Sequence, residues 1–336
     1  MKKEASFWSK LEDSAVQCSL CAHNCRIKEG KTGFCGVRKN ENGRLSSFIY
    51  GSCSSMAVDP VEKKPFYHFY PGSKVFSVGT VGCNFKCLHC QNHDISTADT
   101  SFPSIRDISP EESVRLAKED DCQGIAFTYN EPSIWYEFTL DSARLAKKNG
   151  LYTCYVTNGY ISKEPLQEIS PFLDAMNIDV KGFTEAFYKK VCKASLQPVL
   201  DTCVLSKKLG IHIELTYLVI PGYNDSLDEI KSFCNWVVEK LGDEIPVHFS
   251  RFHPDHNMTN VPATPMKTME NVYEIARKTG LGFVYLGNVP LGDYENTYCP
   301  RCDNLCIQRN YFDVNLKGLE KNKCKKCGDT LPFVIH

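Results

Sequence analysis

The chain has 336 residues, with 39 Lys and Arg against 40 Asp and Glu, which gives a formal net charge of −1. This length can hold one large α/β domain with small appendages, and the balanced charge argues against nucleic acid or an anionic membrane as a partner. The sequence has no apolar signal region and no stretch near the ~20 apolar residues of a membrane span. We therefore expect a soluble cytoplasmic protein, whose 18 cysteines are metal ligands and reduced core thiols rather than disulfides.

The N-terminal segment, residues 1–74, has little periodic apolar pattern but contains a close set of cysteines. Cys18, Cys21, Cys25 and Cys35 have the spacing C-x2-C-x3-C-x9-C. Four thiols at this spacing can bind zinc or a second iron–sulfur cluster, and zinc is the preferred interpretation. His23 is a possible substitute ligand.

Residues 75–290 alternate between strand-like and helix-like segments. β-Branched or aromatic runs predict strands at 74–80, 124–129, 151–157, 175–180, 211–220, 247–252 and 282–288. Segments with 3.6-residue apolar spacing, such as 110–120, 133–150 and 226–242, predict helices between them. The alternation favours the parallel sheet of a partial or full βα barrel. No G-x-G-x-x-G follows the first strand, which argues against a dinucleotide-binding fold.

The loop after the first predicted strand carries the most specific motif, GTVGCNFKCLHCQN. Its C-x3-C-x2-C spacing places Cys83, Cys87 and Cys90 on one short loop, and three such thiolates can bind three irons of a [4Fe–4S] cluster. No fourth cysteine follows at ferredoxin spacing, so one iron stays open for a ligand, as a catalytic zinc keeps an open position. The alternative is that the three cysteines are grouped by chance in a cysteine-rich chain. A cofactor pocket supplied by the rest of the barrel would exclude that alternative.

Polar residues fall at the predicted strands, mostly at their carboxyl ends, where βα barrels place their chemistry. They are Asn130 and Glu131 after the second strand, Asn158 after the third, Asp179 and Lys181 at the fourth, Glu214 within the fifth, and His253 after the sixth. Glu131 can accept hydrogen bonds from a ligand ammonium group or cap the next helix. Asp179 and Lys181 can orient a ligand or pair with each other. His253 is an acid/base group or an ordinary loop residue.

The C-terminal segment, residues 291–336, contains two C-x2-C pairs. Cys299 and Cys302 form the first pair and Cys324 and Cys327 the second, with 21 residues between the pairs. This spacing predicts a tetrathiolate site of the zinc-ribbon or rubredoxin-like kind, with zinc favoured over a single iron. Because the segment follows the last strand, we expect it near the barrel mouth, where it would dock a protein partner.

These motifs resemble the radical S-adenosylmethionine (SAM) superfamily, in the branch of pyruvate formate-lyase activating enzyme, and within it the AmmeMemoRadiSam radical SAM enzymes. The likeness spans nearly the whole chain and rests on the cysteine sets and on DPVEKKPFYHFYPG (59–72), TYNEP (128–132), TNGY (157–160), IDVKGF (178–183), YLVIPGYND (217–225), HPD (253–255) and YLGNV (285–289). It implies a partial (βα)6 barrel with a [4Fe–4S] cluster, at whose open iron SAM binds and is cleaved to a 5′-deoxyadenosyl radical.

The resemblance also implies roles for the residues already named. Cys83, Cys87 and Cys90 would hold the cluster, and SAM would contact Asn130, Glu131, Asn158, Asp179, Lys181, Glu214 and His253. The chain would be an oxidoreductase that receives electrons from a low-potential flavodoxin or ferredoxin and abstracts hydrogen from a protein substrate. One alternative is a small-molecule or nucleoside substrate. An alternative of another class is an iron–sulfur or zinc-ribbon protein, redox-active or nucleic-acid-binding, without SAM chemistry. TYNEP replaces the Gly-Gly-Glu of glycyl-radical activases, so a glycyl-radical substrate is not implied.

Overall fold

The computed structural model describes residues 1–290, 292–310 and 313–335. Its centre is an eight-stranded sheet of β1 (Ser55–Pro60), β2 (Lys74–Gly79), β3 (Gly124–Phe127), β4 (Tyr152–Thr157), β5 (Ala175–Asp179), β6 (His212–Val219), β7 (Val247–Arg251) and β8 (Val284–Gly287). Strands β2 to β8 lie side by side in chain order and are all parallel. Strand β1 lies antiparallel to β2 at one edge. Within the described residues β1 and β8 do not pair, so the sheet is an open, partial barrel.

Helices form the crossovers between the parallel strands. They are α1 (Pro110–Glu119), α2 (Tyr136–Lys148), α3 (Lys163–Ile169), α4 (Gln197–Lys208), α5 (Leu227–Leu241) and α6 (Met266–Lys278). Short helical turns cover Val61–Lys63, His93–Ser96, Pro132–Trp135, Ser170–Phe172, Glu185–Phe187, Tyr188–Cys192 and Asp293–Glu295. Helix α1 begins as its sequence predicts, because the Ser109 side chain accepts from the Glu112 N–H at 3.1 Å and Pro110 occupies the first helical position. The predicted α/β architecture with six βα crossovers is confirmed.

The strands are buried on both faces because helices cover one side of the sheet and the barrel interior covers the other. All four residues of β3 are buried, as expected for parallel strands. Gly124 begins this strand where a Cβ atom would lie 2.2 Å from the Tyr152 ring. A side chain at this position would therefore push β3 and β4 apart.

The N-terminal segment folds as small antiparallel sheets against α2. Its strands are Lys3–Glu4, Trp8–Lys10, Val16–Cys18, Arg26–Ile27, Arg38–Glu41, Arg44–Ser47 and Ser52–Cys53, and the last pairs with Arg106–Asp107. A buried ion pair joins the segment to α2, with 2.8 Å between Arg38 Nη2 and Glu137 Oε1. Strand β1 lies in the segment predicted as an N-terminal appendage and completes the central sheet.

The C-terminal segment covers the amino ends of the strands. Its strands are Thr297–Tyr298, Leu305–Asn310, Asp313–Asn315, Leu319–Glu320 and Lys323–Cys324. A Cβ atom on Gly72, just before β2, would lie 3.5 Å from Val314, and one on Gly282, just before β8, would lie 3.9 Å from Pro300. The expectation that this segment lies at the barrel mouth is therefore wrong. None of the described helices combines the length and apolarity needed to cross a bilayer.

Candidate active site

A cavity of about 450 Å³ opens at the carboxyl ends of the parallel strands. Eight of the ten residues predicted to bind the cluster or SAM line it: Cys83, Cys87, Cys90, Asn130, Glu131, Asn158, Asp179 and Lys181. A wider, open groove of about 770 Å³ beside Lys2 and Glu29 contains none of them. Residues at the carboxyl ends of four successive strands, β2 to β5, thus converge on one pocket.

The cysteine loop is held by one of its own N–H groups and by the Asn158 amide that follows β4. The Phe85 N–H donates to Cys83 Sγ at 3.3 Å, and Asn158 Nδ2 lies 3.9 Å from the same sulfur. The Asn158 amide also donates to Asn84 Oδ1 at 2.8 Å. These bonds link the residue predicted after the third parallel strand directly to the cysteine loop.

The three thiols face a common cavity and require a metal for ionisation. Burial raises the pKa of Cys83 and of Cys90. The pKa of Cys87 is raised first by a hydrogen bond with Cys192 and then by burial. The thiols are therefore neutral at pH 7 without metal, and binding iron must release their protons. Soft thiolate donors fit an iron–sulfur cluster.

Asn130 fixes the start of the cysteine loop. Its Nδ2 donates to the Gly82 carbonyl at 2.7 Å, and its Oδ1 accepts from the Thr80 N–H at 3.1 Å. The preceding residue, Tyr129, has a left-handed φ of 72°, which is uncommon for a residue with a side chain. This turn presents the Asn130 amide to the loop.

Glu131 is 1% exposed and lies at the base of the cavity. Its carboxylate accepts from the Ser133 N–H at 3.0 Å, the Thr157 hydroxyl at 2.7 Å and the Asn158 N–H at 2.8 Å. The predicted helix-capping role is therefore confirmed. Burial nevertheless raises the pKa of Glu131, so a cationic ligand group would stabilise its charged form.

Asp179 and Lys181 pair across the end of β5. Lys181 Nζ lies 2.8 Å from Asp179 Oδ2, and both residues line the cavity. Burial opposes the charge of Lys181, but the Asp179 carboxylate outweighs it and raises the pKa of the ammonium well above its usual value. Lys181 is thus a permanent cation beside the thiols.

The structure does not bring Glu214 into the cavity. Glu214 is fully buried inside the barrel, where His248 Nε2 and His212 Nε2 lie 2.7 Å and 3.1 Å from its carboxylate. The backbone N–H groups of Tyr67 and His68 donate to it at 3.0 Å and 2.8 Å. All four partners are protein groups, so a SAM contact at Glu214 finds no support in this geometry.

His253 lies outside the cavity lining as well. Its side chain is 54% exposed, and its ring is 3.4 Å from Gln91 Nε2, which does line the cavity. The residue stands at the rim, where the alternative of an ordinary loop residue fits its exposure.

Sequence reasoning assigned no role to several residues that line the cavity. Lys63 and Lys64 both contact the Asp59 carboxylate at 2.8 Å and extend into the lining. Both lysines belong to the motif at 59–72, whose sequence alone carries no pattern that assigns them a role. His89 also lines the cavity, and burial lowers its pKa to about 3, so its imidazole is neutral.

The sulfurs of the C-terminal cysteine set lie close together. Sγ atoms of the C-terminal set lie 3.6 Å apart for Cys299 and Cys327, and 3.7 Å apart for Cys302 and Cys324. Four Zn–S bonds of ~2.3 Å in a tetrahedron need ~3.8 Å between sulfurs, so this set fits a single metal ion. Burial opposes ionisation of Cys324, but backbone N–H donors at Cys327 and Lys326 lower its pKa to about 6. A thiolate is thus available at neutral pH.

Comparison with known proteins identifies the relatives of this chain. The family profile of the radical SAM superfamily matches residues 77–236. An uncharacterized protein of Methanocaldococcus jannaschii is 48% identical over 335 residues, covering 99% of this chain and 100% of that protein. Pyruvate formate-lyase 1-activating enzyme of Escherichia coli is 24% identical over 214 residues, covering 59% of this chain and 87% of that enzyme.

Among solved structures, a radical SAM methyltransferase from Sphaerobacter thermophilus superposes with a TM-score of 0.51 at 12% identity, covering 85% of this chain and 76% of that one. This likeness concerns the fold alone. The narrower resemblance to AmmeMemoRadiSam enzymes stays a prediction. The chain belongs to the radical SAM superfamily and is related to pyruvate formate-lyase activating enzyme.

Proposed function

We propose that the chain binds a [4Fe–4S] cluster through Cys83, Cys87 and Cys90, binds SAM at the open iron, and abstracts hydrogen from a protein substrate. The observation that carries this proposal is the convergence of the three thiols and the polar strand-end residues on one cavity. When bound and reduced by one electron, the cluster and SAM supply a 5′-deoxyadenosyl radical. The residues around them bind, orient and shield that reagent.

The charged residues of the cavity match the charged groups of SAM. The Glu131 carboxylate is the acceptor for the SAM ammonium group, since its buried charge needs a cationic partner. Lys181, a permanent cation, is the partner of the SAM carboxylate, and Asp179 orients the ribose hydroxyls. Asn130 and Asn158 are uncharged, so they position the cysteine loop against the bound cofactor and do not hold the cofactor by charge.

The remaining lining excludes water from the radical. Val156, Leu218 and Phe85 contribute apolar surface, and the buried His89 ring in the lining is neutral. A carbon radical in contact with a mobile hydrogen-atom donor would be quenched before it met its substrate. Substrate docking must therefore complete the enclosure at the mouth.

A protein substrate is supported by the relative named as the activating enzyme of pyruvate formate-lyase, which is itself a protein. A low-potential flavodoxin or ferredoxin is the matching electron donor. A small anionic substrate is the second candidate, because Lys63 and Lys64 bring two cations against the single carboxylate of Asp59 at the cavity wall.

The chemistry is tested by SAM cleavage. Anaerobically reconstituted protein with dithionite should form 5′-deoxyadenosine from SAM. The variant Cys83→Ala/Cys87→Ala/Cys90→Ala should form none while remaining folded. The matched control is Cys122→Ala/Cys203→Ala/Cys234→Ala, which removes three buried thiols outside the cavity. Undiminished cleavage in the first variant would contradict the assignment.

The substrate class is tested by deuterium transfer. Host extract from cells grown in deuterated medium is separated into a protein fraction and a small-molecule filtrate. Deuterium should enter 5′-deoxyadenosine from the protein fraction. Transfer from the filtrate alone would identify a small molecule and reject the protein substrate.

A further inference from the structure

The N-terminal thiols Cys18, Cys21, Cys25 and Cys35 surround a small enclosed cavity of their own. Its other walls are the apolar side chains of Leu20, Ile27, Phe34 and Ile134, together with Arg38. Backbone N–H groups donate to the thiols: His23 to Cys21, Phe34 to Cys25 and Val37 to Cys35. Buried or half-buried sulfurs that accept from backbone N–H groups are the environment of an anionic metal–thiolate centre.

Arg38 is an independent indication of an anion in this cavity. The residue is 1% exposed, and its Nη2 donates to Glu137 Oε1 at 2.8 Å and to the Ser6 carbonyl at 2.7 Å. Its Nε and Nη1 have no hydrogen-bond partner among the described residues, although the side chain forms part of the cavity wall. Buried guanidinium donors without acceptors are costly. Acceptor sulfurs bound within the cavity would satisfy them.

The spread of the thiols separates this site from the C-terminal one. Among the described residues, the ligand atoms of Cys299, Cys302, Cys324 and Cys327 all lie within 4.8 Å of one another, and no three of the N-terminal thiols do so. One zinc ion requires sulfurs ~3.8 Å apart. Thiolates of an iron–sulfur cluster stand further apart because each binds a different iron. Among the described residues, Cys83, Cys87 and Cys90 likewise do not form a group that close.

This cavity lies directly behind the catalytic cysteine loop. A Cβ atom on Gly82 would lie 2.8 Å from the Cys35 carbonyl oxygen, and Gly82 immediately precedes Cys83. On the other side of the loop, His23 Nε2 lies 2.6 Å from the Asn84 carbonyl oxygen. Residues of the N-terminal cysteine segment therefore contact the backbone on both sides of Cys83, at Gly82 and at Asn84.

The outer side of the cavity faces solvent. Phe34 is 38% exposed, and the side chains of Arg26, Lys28 and Lys31 nearby in sequence are exposed as well. Glu29 is the one exposed acidic residue among these three basic ones. An exposed ring beside a net positive segment suits the docking of an acidic redox protein. The cavity thus has one side toward a donor and the other toward the catalytic loop.

We propose that Cys18, Cys21, Cys25 and Cys35 hold a second iron–sulfur cluster that passes electrons to the catalytic cluster. A reduced low-potential flavodoxin or ferredoxin loses one electron, the second cluster gains it, and the electron then moves to the catalytic cluster. No bond is made or broken and no proton moves. The relay role rests on the proposed function, whereas the presence of the second cluster does not.

The cluster is tested in the variant Cys83→Ala/Cys87→Ala/Cys90→Ala, which has lost the catalytic ligands. After anaerobic reconstitution it should retain about four irons and about four acid-labile sulfides per chain, with the Mössbauer spectrum of a [4Fe–4S] cluster. Adding Cys21→Ser/Cys25→Ser should remove both. Zinc without sulfide in the first variant would overturn the proposal. Should the variants fail to fold, wild-type protein decides. About eight irons per chain support a second cluster, whereas about four irons with about two zinc ions, one for each flanking cysteine set, reject it.

The relay is tested by the variant Cys21→Ser/Cys25→Ser with the catalytic ligands intact. Electron paramagnetic resonance measures how fast its catalytic cluster is reduced. With reduced flavodoxin as the donor, this rate should fall by roughly tenfold or more. Reduction by dithionite, which reaches the cluster through the cavity mouth, should stay within about twofold of wild type. An unchanged rate with flavodoxin, or an equal fall with both reductants, overturns the relay. Lack of SAM cleavage by wild-type protein would instead contradict the proposed function and leave the sulfide analysis valid.

Discussion

Glu131 serves the fold and faces the cofactor cavity with the same carboxylate. Its oxygens accept from the Ser133 N–H, the Thr157 hydroxyl and the Asn158 N–H, so the residue joins the ends of β3 and β4. Burial disfavours its charge and raises its pKa. The sequence left capping and ligand binding as alternatives, and the structure makes them compatible because a carboxylate has lone pairs for both.

The variant Glu131→Gln keeps the size of the side chain and one acceptor oxygen but removes the charge. SAM affinity, measured by anaerobic calorimetry on cluster-loaded protein, should weaken by roughly 1.5–3 kcal/mol, the value of a hydrogen bond to a charged group. Iron content should not change. Glu164→Gln, an exposed carboxylate in the first turn of α3, is the control. A normal SAM dissociation constant together with a lower melting temperature would leave Glu131 a cap alone.

Asn130 needs both a donor and an acceptor, and Asn130→Asp removes only the donor. The new carboxylate would face the Gly82 carbonyl, which now accepts from Nδ2 at 2.7 Å. Losing this bond should loosen the cysteine loop by about 1–3 kcal/mol. Iron should then leave the cluster faster when a chelator is added. Asn288→Asp, also in the lining, is the control, and equal rates of iron loss in both variants would refute a loop-holding role.

At the scale of elements, the sequence predicted every parallel strand because each is a short apolar run between turns. It also predicted most of the cavity, since the carboxyl ends of parallel strands meet at one edge. Strand β1 is not predicted from the sequence, because its residues do not form the apolar pattern of a buried strand. Among them only Asp59 is fully buried. Glu214 was misplaced for a different reason. The position of Glu214 within β6 shows which side of the sheet its side chain is on, but not how deep inside the barrel the side chain lies.

Glu214 and His68 make the barrel interior sensitive to acid. Burial opposes ionisation of Glu214, but His212, His248 and two backbone N–H groups hold its pKa below the usual range. Its stabilising effect is therefore complete above the unfolded pKa of ~4.3 and is lost as the pH falls below it. Burial lowers the pKa of His68 to about 3, so its imidazole stays neutral in the folded protein. The folded state therefore loses stability as the pH falls below the unfolded histidine pKa of ~6.5.

The variant Glu214→Gln should lower the free energy of unfolding by roughly 1.5–3 kcal/mol at pH 7, the value of hydrogen bonds to a charged group. The difference from wild type should shrink as the pH falls through about 4.3 toward 3. Denaturant titrations at each pH, with equal metal content, measure it. SAM affinity should be unchanged, because Glu214 lies outside the cavity. A difference that is independent of pH would mean that the carboxylate is not the charged group described here.

At the scale of the whole molecule, the three cysteine sets occupy three separate positions. One lies at the barrel mouth, one lies behind the cysteine loop, and one covers the amino ends of the strands. The sequence predicted all three cysteine sets, but it did not predict that the C-terminal set covers the amino ends of the strands. The reason is that the chain turns back after β8. The Tyr285 hydroxyl on β8 lies 2.8 Å from Thr297 Oγ1, so the C-terminal segment returns along the barrel toward its base.

The C-terminal site should therefore stabilise the barrel rather than recruit substrate. The Phe333 ring stacks on His68 at 4.3 Å, and Arg309 Nη2 donates to the Tyr67 carbonyl at 2.7 Å. Both contacts fix the 67–68 turn, whose N–H groups donate to Glu214. A metal that orders this segment thus acts on the interior network, and its binding free energy contributes to folding.

Replacing two ligands, Cys302→Ser/Cys327→Ser, should remove the C-terminal metal and lower the melting temperature by at least about 5 °C. SAM affinity and cluster iron should be retained at temperatures where the variant is folded, since the cavity lies at the opposite end of the strands. Lys326→Ala, an exposed neighbour, is the control. Calorimetry measures the melting temperature, and zinc and iron analysis measures the metal content of each variant. Normal thermal stability combined with loss of substrate turnover would restore a docking role for this segment and reject the one argued here.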